Sequence, residues 1–310
     1  MDLSAPPTVL LLAFLPAIMW GFTPVIEKRA LSGGGTPLQA AVTVVVVDST
    51  VYLVALALFQ PDPFGDLTLG TLAIFAAAGA VGTALGRLAI FAGNARVGAS
   101  ISSAVVSARP LFATTLAVGF LGEPLTLPTG VGIVVLVVGL GVLSVAKGGD
   151  LGGWSRRDLL VPLAAAGFFA VGNVARRWGL SAAEATPLEA VAVNELAAFV
   201  TLGAYVAVAG RDRVLGRPRK SYLVFAASGL ITAVALLSMF TALSHPAGRI
   251  AVVDPLVATA PLFTVVFSWW LLGDLERVTR GVVVGALLVV AGAALVTGGP
   301  ALVAGLSITP

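Results

Sequence analysis

The sequence predicts an all-α integral membrane protein, with ten transmembrane helices arranged as two inverted five-helix repeats. Three observations predict this fold class: a composition too apolar for a soluble chain, ten apolar runs of bilayer-spanning size, and a residue pattern that returns in the second half at one constant offset. Of the 310 residues, 58% are hydrophobic and 11% charged, and the mean hydropathy is +1.03. Soluble domains carry about 25% charged residues, and a large share of any soluble surface must face water. Lipid is the remaining solvent. It offers no partner for backbone N–H and C=O groups, so the spans must be helices or a closed barrel. A barrel would alternate apolar and polar residues, which runs such as GIVVLVVGLGVLSV do not.

A spanning helix needs roughly 20 mostly apolar residues. Runs of that kind fall near 8–31, 37–59, 67–92, 97–121, 126–146, 158–180, 187–209, 220–243, 248–272 and 278–298. The opening MDLSAPPTVLLLAF has neither a positive n-region nor a small-residue cleavage signal, so it reads as the first span and not as a removable signal peptide. Most connections are short and punctuated by Pro, Gly and acids, as in QPDPFGD and LGDLERV. The Gly-rich KGGDLGGWSRRD lies at the midpoint of the chain. The organisation expected is a first repeat over 1–146, a linker over 147–157, a second repeat over 158–298 and a tail over 299–310.

The halves resemble each other. TPLQA at 36–40 returns as TPLEA at 186–190. Pro110, Leu111, Phe112, Gly122, Glu123, Gly130 and Gly141 match Pro261, Leu262, Phe263, Gly273, Asp274, Gly281 and Gly292 at a single spacing. Five spans per half is an odd number, so the two copies must lie upside down relative to each other. An inverted repeat places a substrate site near the bilayer midplane, between the halves.

These residues resemble the drug/metabolite transporter superfamily, in its EamA-type branch. The pattern is Trp20-Gly21 in the first span, then in each half a small-residue fourth helix with an internal proline and a Gly-acid ending, followed by a Gly-rich fifth helix. The second half departs from it with Phe169-Ala170 in place of Trp-Gly and Asp274 in place of Glu. The resemblance covers nearly the whole chain and implies a multi-pass transporter of the cell membrane with no cofactor, moving a small-molecule solute. It is specific for the fold and poor for the substrate.

Ionisable residues inside spans are the candidate site, because a charge at the bilayer centre costs about 2.5–3.5 kcal/mol on insertion scales and normally faces the bundle interior. Asp48, Arg109 and Glu195 lie near the middle of spans 2, 4 and 7, and Asn194 adjoins Glu195. The TPL register aligns Glu195 with Val45, so Asp48 sits one turn further along the same face. Two carboxylates from related helices then approach a shared cavity, where they titrate or bind a cation such as a proton, while Arg109 orients an anionic substrate group. The competing reading is structural: Arg109 pairs with Asp48 or Glu195 and locks the helices together. Arg87 and Asp254 stand nearer span ends, where they either join the site or snorkel to interfacial water. Trp20 is either a cavity wall or an interfacial aromatic. Trp178, Trp269 and Trp270, near span ends, fit the interfacial belt.

Several function classes are excluded or left without support. There is no cysteine and one histidine, which removes thiolate chemistry and leaves a His-based metal site without ligands. An intramembrane enzyme needs a nucleophile–base or metal-ligand cluster, and a non-transporting structural or signalling protein leaves the ionisable residues of related spans unexplained. No G-x-x-x-x-G-K-[ST] loop is present for an ATP-driven pump. The net charge of +3 comes from scattered loop residues and does not form the basic face that nucleic acid requires. Small-residue stretches such as GASISSAVVSA fit close helix packing, within the chain or across a homodimer. Setting aside Arg87 and Arg109, thirteen of the sixteen remaining Lys and Arg fall on the side opposite the termini. The positive-inside rule therefore places both termini outside, whereas the family resemblance implies cytoplasmic termini.

Overall fold

A computed structural model describes residues 6–65, 67–112, 115, 127–146, 148–182, 185–210, 212, 214–248, 253 and 256–306. Ten helices organise them: α1 (Pro7–Ser32), α2 (Pro37–Phe59), α3 (Leu69–Val97), α4 (Ala99–Val106), α5 (Leu127–Val145), α6 (Leu160–Ala182), α7 (Pro187–Ala209), α8 (Arg219–Ser244), α9 (Ala260–Leu271) and α10 (Arg280–Leu306). Among the described residues six helices are long and apolar enough to cross a membrane: α1, α2, α3, the helix from Arg156 to Ser181, α7 and α8. Shorter apolar stretches of helix occupy Leu127–Leu143, Ala260–Leu271 and Arg280–Val296. Large apolar side chains such as Leu58, Phe59, Leu127, Val208 and Trp270 stand on the outside of the bundle, as a lipid solvent allows.

The recurring TPL motif is a helix start. Thr36 Oγ1 accepts from the Gln39 N–H at 3.1 Å, and Thr186 Oγ1 accepts from the Glu189 N–H at 3.2 Å. Each threonine forms a capping box with the residue three positions on, with proline at the first helical position. The two halves also pack by an exchange of equivalent parts. Helix α1 lies against α8, and α6 lies against α3. Helices α2 and α7 pack together, as do α5 and α10. The α5–α10 contact uses Gly132, Gly139 and Gly292, where an added Cβ would fall 2.5–2.7 Å from the facing backbone. The small residues of the fifth and tenth helices are thus used within the chain.

Two local departures from regular helix position the interior. Residues Ala78–Leu85 of α3 form a π-helical segment. There the backbone comes so close to α7 that a Cβ on Gly79 would sit 1.9 Å from the Asn194 carbonyl oxygen. The second departure is a break in the fourth helix of each repeat. Helix α4 ends at Val106, residues 107–108 form a turn, and helix resumes at Arg109. Its equivalent turn at 258–259 precedes α9, at the same spacing that relates Pro110 to Pro261. Proline at the second position of a new helical segment loses no ladder hydrogen bond, so the break is compatible with both residues.

One end of the bundle is tied across the repeats. Strand β1 (Gly149–Asp150), in the linker, pairs antiparallel with β2 (Glu276–Arg277), in the connection from α9 to α10. Lys28 of α1 forms an ion pair with Asp150 and donates to the Ala95 carbonyl at 3.1 Å. Glu276 accepts from the N–H groups of Ala99 and Ser100 at the start of α4, and from Ser100 Oγ at 2.7 Å. Gly98, at φ +90°, makes the turn that aims those N–H groups outward from α4.

Candidate functional site

Between the repeats lies a cavity of about 130 Å³. Its wall comes from both halves, from the middle stretches of five of the long helices. Helix α1 contributes Trp20, Pro24 and Glu27, and α6 contributes Phe169, Asn173 and Arg176. The spacing is i, i+4, i+7 in each, which puts three side chains on one helical face. Aligning Trp20-Gly21 with Phe169-Ala170 makes these sets equivalent, so Glu27 and Arg176 occupy one repeat position with opposite charge. Helix α3 supplies Thr83 and Arg87, and the broken fourth helices supply Arg109 and Ala260, which are repeat equivalents.

This wall is the inner edge of a buried polar cluster. Arg87 forms ion pairs with Asp48 at 2.7 Å and with Glu195 at 2.9 Å. Thr83 Oγ1, on the π-helical segment, donates to Glu195 at 3.4 Å and accepts from Asn194 Nδ2 at 2.7 Å and from Arg176 at 2.7 Å. Arg176 also donates to Asn194 Oδ1 at 3.1 Å and to Asn173 Oδ1 at 2.8 Å, and its guanidinium lies 5.7 Å from the centre of the Phe240 ring. Glu27 is held separately. It accepts from Ser228 Oγ and from Asn94 Nδ2, the latter at 3.3 Å. The cluster joins α2, α3, α6 and α7 by charge-assisted hydrogen bonds, which are strong where water is excluded.

The structure distributes the sequence-expected residues unevenly. Trp20, Arg87 and Arg109 line the cavity, while Asp48, Asn194 and Glu195 sit one layer behind its wall. The two carboxylates do converge, but on Arg87 and not on Arg109. The pairing of Arg109 with Asp48 or Glu195 is therefore corrected. The reason is helix length: α3 runs on to Val97, so Arg87 stands well inside the bundle and not near a span end. Asp254 lies outside the described residues, as do Gly122 and Glu123. Trp178, Trp269 and Trp270 are exposed on the bundle surface. Thr83, Asn173, Arg176 and Glu27 are site residues that the sequence reading missed. The sequence places Arg176 near the end of the sixth span, yet it is 3% exposed. Carrying the Trp20–Phe169 alignment forward by two turns would have found both Glu27 and Arg176.

A comparison with family profiles decides what kind of protein this is: that of the EamA-like transporter family matches residues 7–145 and again 157–298. The chain belongs to the EamA-like transporter family. Membership makes it a membrane transport protein built of two EamA repeats, and the cavity described above lies where those repeats meet. No curated protein matches the chain. Among solved structures, one described only as "Crystal structure of protein" is similar to this EamA chain at a TM-score of 0.63 and 16% identity, covering 98% of this chain and 100% of its own. At that identity the likeness speaks for the fold alone.

Proposed function

We propose that this chain is a secondary transporter of a small metabolite, an exporter or exchanger, working by alternating access around the cavity between its repeats. The reading extends the helices to ten spans, five per repeat in inverted orientation, in the cell membrane. The observation that carries it is the cavity itself, walled by charged side chains from both repeats at mid-length along the spanning helices. Ionisable residues there are costly and have a function by default. The paired breaks in the fourth helices add support, because carriers built from repeats bind substrate at discontinuous helices.

In this mechanism the tied end is a closed gate. Lys28–Asp150, the β1–β2 pairing and the Glu276 contacts hold the linker, α1, α4 and the α9–α10 connection together. Releasing them while the opposite end closes exchanges the two access states. Asp48 and Glu195, sharing Arg87, are the proposed site of ion coupling: a proton taken by one carboxylate weakens its hold on Arg87 and frees that guanidinium toward the cavity.

The test is reconstitution into proteoliposomes with a panel of metabolites and an imposed pH gradient. The expected result is flux of at least one solute that vesicles without protein do not show. Loss of proton dependence in Asp48→Asn or Glu195→Gln supports the coupling assignment. Full proton-dependent transport in both variants rules it out, and no flux for any solute favours a non-transporting membrane protein.

A further inference from the structure

We infer that the cavity takes a carboxylate-bearing organic solute, with the carboxylate on Arg109 and the apolar body against Trp20 and Phe169. The inference rests on the carrier reading above and names the substrate class of that site.

Among the described residues three cations and one acid line the cavity, and their partners differ. Arg87 is engaged by both carboxylates of the buried cluster, Asp48 and Glu195. Arg176 donates to three neutral oxygens, on Thr83, Asn173 and Asn194. Glu27 is satisfied by Ser228 and Asn94. Arg109 has no hydrogen-bond acceptor and no carboxylate in ion-pair range among the described residues, although it is only 8% exposed and its Nε is fully enclosed. It also lies within electrostatic reach of Arg176, so its protein surroundings add repulsion. A buried guanidinium without an acceptor is held at a standing cost. The missing partner is an anion that arrives from the cavity.

The chemistry of the open position narrows the class. A guanidinium presents a planar fork that matches a carboxylate through two parallel hydrogen bonds. One open guanidinium suits one negative charge. A dianionic phosphate would call on a second free cation, and Glu27 in the same lining disfavours the extra charge. Much of the remaining lining is apolar, with Trp20, Ile90, Phe91, Phe169, Leu236 and Met239, and the neutral hydroxyls of Thr23, Ser103, Ser107 and Thr232 stand among them. At about 130 Å³ the space is close to the roughly 150 Å³ engineered cavity known to accept benzene. A monoanionic acid with a compact apolar body fills both demands.

The test uses three near-isosteric probes on the full chain in lipid nanodiscs: radiolabelled benzoate, with benzamide and benzylamine as competitors. Benzoate is expected to bind, and the other two are expected to compete at least tenfold more weakly. Arg109→Gln is expected to lower benzoate affinity by about tenfold or more, the loss that follows from removing a hydrogen bond to a charged group. Arg109→Lys keeps the charge and is expected to restore part of it. Arg29→Gln, at an exposed ion pair with Asp274, is expected to leave binding unchanged. Because the wild-type probe series stands by itself, misfolding of an Arg109 variant does not remove the test. Benzamide or benzylamine binding as tightly as benzoate, no binding of benzoate, or equal affinity in wild type and a folded Arg109→Gln each overturns the inference. None of these touches the carrier reading, which is decided separately by flux across the vesicle wall.

Discussion

Arg87, Gly79 and Glu27 show how single residues set the interior. Arg87 is the ion-pair partner of both Asp48 and Glu195, which are fully buried, so its removal takes that partner from two carboxylates at once. Breaking a buried pair by deleting one partner costs about 3–5 kcal/mol. Arg87→Met is expected to lower the detergent melting temperature sharply, and adding Asp48→Asn and Glu195→Gln is expected to recover most of the loss. Failure of that recovery would show that Arg87 stabilises by packing and not by charge. Gly79→Ala tests the close approach of α3 to α7. With a Cβ 1.9 Å from a backbone oxygen, the helices must move apart, and the expected result is a large destabilisation read by the same melt. The existence of buried charges was legible in the sequence; their pairing was not, because Arg87 and Arg109 are equivalent until helix ends are known.

At the scale of elements, the repeat motifs resolve into physical devices. TPLQA and TPLEA are capped helix starts with proline at the first turn, a local arrangement that sequence spacing can carry. The π-helical turn at Ala78–Leu85 is set by neighbours instead: Gly79 and Gly82 permit the contact, but α6 and α7 supply it. The tied end makes two predictions. Asp150→Asn removes the charge facing Lys28, and a Ser107→Cys reporter in the otherwise cysteine-free chain is expected to label faster from that end when Asp150 is changed. An unchanged labelling rate would remove Asp150 from the gate. Burial pushes the Glu276 carboxyl above its usual range, against the opposing hydrogen bonds from Ser100 and Ala99. A raised folded-state pKa means that its contribution to stability is fully present below the unfolded value and is lost as pH rises through the folded one. Wild type is therefore expected to lose melting temperature relative to Glu276→Gln as pH rises from about 4 toward neutrality, a window that begins at the unfolded carboxyl range. A pH-independent difference between the two proteins would show that Glu276 is not buried in solution.

For the whole molecule, orientation in the membrane is open to direct measurement. Thirteen Lys and Arg favour the side opposite the termini, and Arg176 no longer counts on the other side because it is buried in the cluster. Termini outside is the orientation this bias supports. Cysteine replacements at Ser4 and Ser307 are expected to react with an impermeant reagent added to intact cells, and no labelling at either position would reverse the assignment. The lipid environment, the helical class, the two-part organisation and the presence of charge in the spans were all determined by the sequence alone. Each follows from composition or from spacing along the chain, and those are one-dimensional quantities. Tertiary structure decided which arginine holds the two carboxylates, that Glu27 and Arg176 face one cavity, and that Arg109 has no partner among the described residues. Those outcomes depend on where α3 ends and how closely it meets α6 and α7, and a contact between distant segments exists only once the chain has packed.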